Sequence, residues 1–352
     1  AIEGLLELKE SWVIFNTTAD EQMRVFNGGK ILLSTSSSVL ETDYLDVDDG
    51  SIEMAGSTLS VEDITLNKAS VLTDGSARIL VSRGMEIGPA GSTITLGTDS
   101  RVIVNGTLLN LGDLTIGGKG TVVTTILALL GTVGITESTS LVITGDSNTW
   151  NNPQTSIDID PKANLTIQPG GDVFSSIPIR NDGTLRVEGS FKPLGEMTGD
   201  GVLQVDTQGT LGPFGIQSNG TFTASPRVDM NALSTFKVQI DPTAGQAQKL
   251  IASTSFSLST LLGVYLEPDI SNDRVLTPGT QFVIVEYPQG NVVGGHFIRP
   301  DNSPLKDGGT FTAGLNTYRI NYNSTNITLT VVDTSAGHAI DDYYKALQDQ
   351  TL

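Results

Sequence analysis

The chain has 352 residues, no cysteine, two histidines and a formal charge of −19, with 39 acidic against 20 basic side chains. Without cysteine there is no disulfide scaffold, thiolate metal site or cysteine nucleophile, and two histidines cannot make a three-histidine metal centre. So acidic a chain is repelled by nucleic acid and anionic lipid, and its longest apolar stretch, residues 121–135, is too short and too rich in Thr and Gly for a membrane span, so neither nucleic acid nor membrane insertion is expected.

Only 17% of residues are charged and Gly alone accounts for 39, so neutral Ser, Thr, Asn and Gln must clothe most of the surface, and the chain must turn often. Residues 1–15 read as an N-terminal cap. Within them, AIEGLLELKES (1–11) puts Ile2, Leu5, Leu6 and Leu8 roughly on one side of a helix, which predicts one amphipathic helix. No secretory leader is visible, so a mature form or an excised fragment is expected.

Residues 16–230 show short alternating runs rich in Val, Ile, Leu and Thr, the residues that suit a half-buried pleated surface. They include KILLS (30–34), STITL (92–96), RVIV (101–104), DLTI (113–116), SLVIT (140–144), NLTI (164–167), TLRVEG (184–189) and GVLQVD (201–206). Between the runs lie Asn27-Gly28, Asp49-Gly50, Asp74-Gly75, Asn105-Gly106, Asp182-Gly183, Asp200-Gly201 and Asn219-Gly220. Such pairs permit positive φ and mark tight corners. Asn-Gly between strands is also a hairpin signal, which would give an antiparallel sandwich or barrel.

A parallel β-helix is the preferred reading. Many corners recur about one coil apart, and the phrase "small polar, Gly, Thr, apolar, x, apolar" returns in NGTLLNL, GKGTVVT, NDGTLRV, TQGTLGP and SNGTFTA. Self-similarity at a short period marks a solenoid, whose coils bury their apolar faces only by stacking. Inward positions are then the alternating Val, Ile and Leu, and outward positions Thr, Ser, Asp and Asn. The ends of such a stack expose unpaired strand edges.

After Met230 the strands lengthen, as in TFKVQID (235–241), FSLSTLLGVYLEPD (256–269), TQFVIVEYP (280–288), TYRINY (317–322) and NITLTVVD (326–333), and aromatics such as Phe236, Phe256, Tyr265 and Phe282 gather. This predicts a β-sandwich-like end over 231–335. The succession FKVQID, QKLIAS, LSTLLGVYLEP, PGTQFVIVEY, GGHFI and TYRINYNSTNITLTVV, over residues 234–333, resembles the C-terminal part of bacterial autotransporter passenger domains and related filamentous-haemagglutinin-type surface proteins. The resemblance implies an all-β, right-handed parallel β-helix ended by this segment, on a secreted or cell-surface protein. The passengers' membrane β-barrel does not follow Val332, so a cleaved passenger, a secreted solenoid or a subunit of an assembly is expected. Residues 336–352 predict a terminal helix or tail, with acids at its start and Lys345 later, as the helix dipole favours.

Enzymatic β-helices need paired carboxylates, or a basic residue beside acid-bound calcium. The polygalacturonase-like set of Asn-Thr-Asp, Asp-Asp, Gly-His-Gly and Arg-Ile-Lys is missing as a set. Asp48-Asp49 lies in an Asp-Gly turn, and His296 lies in GGHFI. Asp158 and Asp160, two apart, are the best carboxylate pair, and a solvated acidic face is the favoured reading of them. Glu41, Asp43, Asp46, Asp48, Asp49 and Glu53 are dense in oxygen ligands but fit neither the EF-hand nor the nonapeptide calcium spacing. Thr93-Ile94-Thr95 and Thr221-Phe222-Thr223 do not recur at one coil spacing, as an ice-binding array would. Trp12 and Trp150 are expected in the core or an end cap, with a sugar contact at Trp150, in a protruding loop DSNTWNNPQ, as the minor alternative.

Sequons begin at Asn16, Asn105, Asn164, Asn219, Asn323 and Asn326, candidate glycosylation sites if the source is eukaryotic. Tyr343, Tyr344 and Leu347 are candidate self-association residues. No catalytic residue, cofactor or metal is expected. The reading is an extracellular structural or adhesive β-helix, a stalk or fibre subunit forming a homo-oligomer or filament. The alternative is a carbohydrate-binding or carbohydrate-cleaving β-helix, with surface glycans as partners.

Overall fold

The structure is a computed structural model that describes residues 2–9, 12–15, 23–146, 148–214, 220–291 and 293–333. Among these residues there is no helix, and the strands stack in parallel as a β-solenoid. The chain divides into two compact units, Ala1–Ser190 with Thr198–Val202, and Phe191–Met197 with Leu203–Leu352.

In the first unit, one residue per coil stacks on the next from Lys30 to Ser51, Ser70, Thr93, Thr115, Gly134, Asp158 and Arg180, every pair parallel. All of these point outward. Their neighbours Ile31, Ile52, Val71, Ile94, Ile116 and Ile135 point inward and are at most 1% exposed. A strand alternates its faces with a period of two, so this sequence pattern buries one face of every coil against the next. Fully burying each such side chain stabilises by about 1.5–3 kcal/mol, and stacking is the only way a coil achieves it.

The second stack contains strands of up to 10 residues, Val39–Asp48, Thr58–Asn67, Arg78–Ile87 and Arg101–Asn110. Each is two short strands joined across a corner. In Val39–Asp48 burial alternates, stalls at Asp43 and Tyr44, then resumes with Leu45 and Val47 inside. Tyr44, Asp63, Gly84, Thr107 and Ile126 are stacked along this corner. A third stack begins at Asn148–Trp150, which pairs with Asp172–Ser175. Asn148–Trp150, in the middle of the loop expected to protrude there, are thus a strand, while the residues from Asn151 to Gln154 lie outside any strand.

The corner pairs divide into two physical types. Asn27 and Gly28 both take positive φ, as a tight turn requires. Asn105-Gly106 instead lies inside the strand Arg101–Asn110, and Gly106 is there for closeness: a Cβ would sit 1.7 Å from the Arg83 carbonyl oxygen. The hairpin meaning of Asn-Gly does not apply at this pair, because coil stacks on coil.

The expected N-terminal helix is not formed. Leu5–Leu8 is a strand paired in parallel with Lys30–Leu33, and Trp12–Phe15 is a strand paired with Val39–Asp48. Apolar residues at 5, 6 and 8 fit either period, and the hydrogen-bonding edge offered by Lys30–Leu33 decides for the strand.

In the second unit parallel pairing continues past Met230, through Thr221–Ala224 on Lys249–Ala252, Arg227–Met230 on Phe256–Leu258, and Thr235–Asp241 on Val264–Ile270. Gln281–Glu286 is parallel to Lys249–Ala252 on one side and antiparallel to Asn326–Asp333 on the other, and that strand pairs antiparallel with Asn316–Tyr322, which pairs in turn with Thr310–Ala313. The core is aromatic. Phe214, Phe222, Phe236, Phe256 and Phe297 are all at most 2% exposed, with Phe236 5.6 Å from both Phe214 and Phe297 between ring centres. Their clustering stabilises by geometry as well as area.

Candidate functional site

The acidic run 41–53 is dispersed by the coil geometry. Four of its acids, Asp46, Asp48, Asp49 and Glu53, are met by partners one coil away. Arg24 holds Asp46 at 2.8 Å, Asn67 donates to Asp48 at 2.8 Å, Lys68 holds Asp49 at 3.1 Å and Lys30 holds Glu53 at 2.6 Å. Glu41 and Asp43 line a shallow depression of about 240 Å³ with Ser60, Glu62 and Ser82. Among the described residues no group of three acids or histidines is placed to hold a metal ion. At the nearby corner, Arg83 donates to Tyr44 Oη at 2.8 Å and to Asp63, which holds its guanidinium pKa above the ordinary value.

Asp158 lies mid-strand on the outward face, between Gly134 of one coil and Arg180 of the next. Asp160 lies beyond the strand end, where its carbonyl accepts the Ala163 N–H at 2.9 Å. The two are set in a strand and in a turn, respectively. His296 precedes the strand Phe297–Ile298, and its carbonyl accepts the Val264 N–H. Trp150 is fully buried, its indole N–H donating to the Leu127 carbonyl at 2.9 Å, so it is a core residue and offers no sugar platform. Trp12 stands on a strand whose Trp side chain lies outside the described residues. Thr93 stacks on Thr115 but Thr95 stacks on Gly117, and Thr221 and Thr223 stack on Lys249 and Ile251.

Of the sequon residues, Asn105 and Asn323 are exposed and Asn164 and Asn326 half-buried. Asn323 donates its side-chain amide to Asn326 Oδ1 at 2.7 Å, so a glycan on Asn323 would use the nitrogen that makes this bond. Asn16 and Asn219, and also Tyr343, Tyr344, Leu347 and the expected helix 336–352, lie outside the described residues.

The feature that sequence reasoning missed is a groove of about 840 Å³ in the second unit. One wall is the strand Val264–Ile270, contributing Tyr265, Leu266, Glu267, Pro268 and Ile270. The other is formed by Arg299, Pro300, Leu305 and the strand Thr310–Ala313. It exists because the third stack stops short. Val264–Ile270 is paired along its length with Thr235–Asp241 on one side, but on the other only Val264 and Tyr265 are matched, by Phe297 and Ile298. The chain then folds back, Pro304 and Leu305 pairing antiparallel with Ile298 and Phe297, and leaves the edge at 266–270 open. The sequence signals were Pro268 inside a strand and Pro300 just after one.

Polar groups in the groove are placed by neighbours. Tyr265 donates its hydroxyl to Asn302 Oδ1 at 2.5 Å, and Arg299 donates to Ser303 Oγ at 2.6 Å and to the Thr310 carbonyl. Hydrogen bonds from Ser303, followed by the nearby Arg299 charge, hold the Asp301 carboxyl below its usual pKa. Lys237 pairs with Glu267 at 2.7 Å. Phe311 is half-buried and stacked on Tyr318, with ring centres 5.7 Å apart.

No protein-family model and no curated protein matches the chain at a significant level. Its class therefore rests on its own fold, a parallel β-solenoid with an antiparallel C-terminal end. Among the described residues no helix is long and apolar enough to cross a membrane.

Proposed function

We propose that the chain is an extracellular structural or adhesive β-solenoid, a stalk or fibre subunit that associates with copies of itself. The observation that carries this reading is the regular parallel stacking of coil on coil, with no group of acids or histidines placed to hold a metal ion among the described residues. Among the described strands, Leu5–Leu8 has a neighbour on one side only, and Leu5 and Ile14 on these first strands are 59% and 56% exposed. Exposed apolar side chains of this kind offer a contact surface to a second copy. The resemblance of residues 234–333 to autotransporter passengers accords with a surface location. The ion pairs that tie Asp46, Asp49 and Glu53 to cations one coil away accord with a structural role for these acids.

Sedimentation velocity over a concentration series tests this. The chain is expected to grow in size with concentration, and Leu5→Lys with Ile14→Lys, which put charge on this surface, should suppress the growth. A species that stays monomeric at high concentration would contradict the reading. A carbohydrate-binding solenoid is the second reading, favoured by the groove alone.

A further inference from the structure

We propose that the groove between Val264–Ile270 and Thr310–Ala313 is a binding site for a neutral oligosaccharide. The inference rests on the second, carbohydrate-binding reading and stands apart from self-association, because the groove lies in the second unit and Leu5 and Ile14 in the other.

The argument starts from what the open strand edge offers. The Tyr265 N–H bonds the Ser234 carbonyl at 2.8 Å and the Ser271 N–H bonds the Ile240 carbonyl at 2.9 Å, so odd-numbered residues point their backbone groups to the paired side. Residues 266, 268 and 270 therefore point theirs toward the groove. Position 268 is proline, which has a carbonyl and no N–H. An added peptide strand would find its ladder interrupted there, and proline on an edge is a common way to refuse one. Carbonyl acceptors remain, and a hydroxyl-rich ligand supplies donors to them without needing an N–H in return.

The rest of the lining fits the same ligand. A pyranose ring presents an apolar C–H face beside its hydroxyls, and Tyr265, Phe311 and Pro268 offer apolar surface alongside these acceptors. The volume, about 840 Å³, lies in the range of small-ligand sites that combine apolar walls with a few fixed polar groups. Charge selects against an anionic sugar. The Glu267 carboxylate is matched by Lys237, and the Arg299 charge is offset by the nearby Asp301 carboxylate while its guanidinium bonds Ser303 and the Thr310 carbonyl. The walls are also pre-set. Leu315 N–H bonds Asp273 at 2.8 Å at the tip of the Thr310–Ala313 hairpin, which reduces the ordering cost of binding.

The test is calorimetric titration of the full chain with three probe sets: neutral gluco-, manno-, galacto- and xylo-oligosaccharides; acidic oligogalacturonates and sialylated glycans; and an extended apolar peptide. At least one neutral oligosaccharide is expected to bind. Its affinity should fall at least about tenfold in Phe311→Ala, which removes an aromatic face, and in Ala313→Trp, which fills the groove. Both variants should keep the wild-type melting temperature to within a few degrees, and the second serves if the first unfolds. Binding to none of the probes, binding only to acidic glycans or to the peptide, or neutral binding unaffected by Ala313→Trp would overturn the proposal. None of these outcomes bears on sedimentation of the chain, so the two readings fail separately.

Discussion

Asn316 holds Leu276 in place: its buried side-chain carbonyl accepts the Leu276 N–H at 2.8 Å, while its amide donates to the Arg274 carbonyl at 2.7 Å. One side chain thereby satisfies two backbone groups of the segment leading out of the groove wall, and fixes that segment to the antiparallel hairpin. Asn316→Ala leaves the buried Leu276 N–H unpaired, at about 1–3 kcal/mol, and frees the Arg274 carbonyl, which lies on an exposed residue where water can replace the lost bond. Urea denaturation should show a lowered midpoint of that order for the second unit. A loss below about 0.5 kcal/mol, within the range of ordinary surface changes, would mean that water reaches the Leu276 N–H as well.

The aromatic core gives a second expectation. Phe236 is fully buried between Phe214 and Phe297, whereas Phe311 lies on the groove wall, half-buried. Phe236→Ala should cost about 3–5 kcal/mol and Phe236→Leu clearly less, because the cavity left is smaller. Thermal or denaturant unfolding of both variants measures this.

Two glycines separate close packing from mere composition. At Gly106 an added Cβ meets the Arg83 carbonyl oxygen at 1.7 Å, while at Gly134, mid-strand on the outward face, nothing lies within 4 Å. Gly106→Ala must push two coils apart and should cost about 1–3 kcal/mol, as other overpacking changes do. Gly134→Ala should stay within about 0.5 kcal/mol of wild type or stabilise slightly. Equal effects of the two, read from denaturation midpoints, would contradict the stacking geometry at this corner.

Alkaline pH should loosen the second unit. Burial first, then the neighbouring Asp273 charge, pushes the Tyr318 hydroxyl up to about 12. Burial likewise raises Tyr322 and Tyr287. In the unfolded chain these phenols lose their protons near pH 10, roughly the free value. Above that pH the unfolded state binds fewer protons than the folded one, so stability falls as pH rises. The contribution is fully present below about pH 10 and is exhausted for Tyr318 only above about 12. Denaturation midpoints measured from neutral to strongly alkaline pH should decline in this window, with a shallower decline in Tyr318→Phe.

Much of the fold was legible because its units are short. Alternation in KILLS and STITL places Ile31, Leu33, Ile94 and Leu96 inside as the pattern requires. What local pattern did not reveal depends on neighbours distant in sequence. Leu5–Leu8 is a strand because Lys30–Leu33 offers it an edge. Asn105-Gly106 looks like a turn, but its glycine answers to Arg83 one coil away. Trp150 sits in a polar stretch that suggests a loop, and only the start of a third stack buries it. The groove is least legible of all. It is the space left where a strand stops after two pairs, and only Pro268 and Pro300 hinted at it.

The central claim, a self-associating extracellular solenoid, is tested most directly by electron microscopy of the native material in the form its source produces. Chains joined into oligomers or filaments are the expected result. Free single particles at every concentration examined would contradict it.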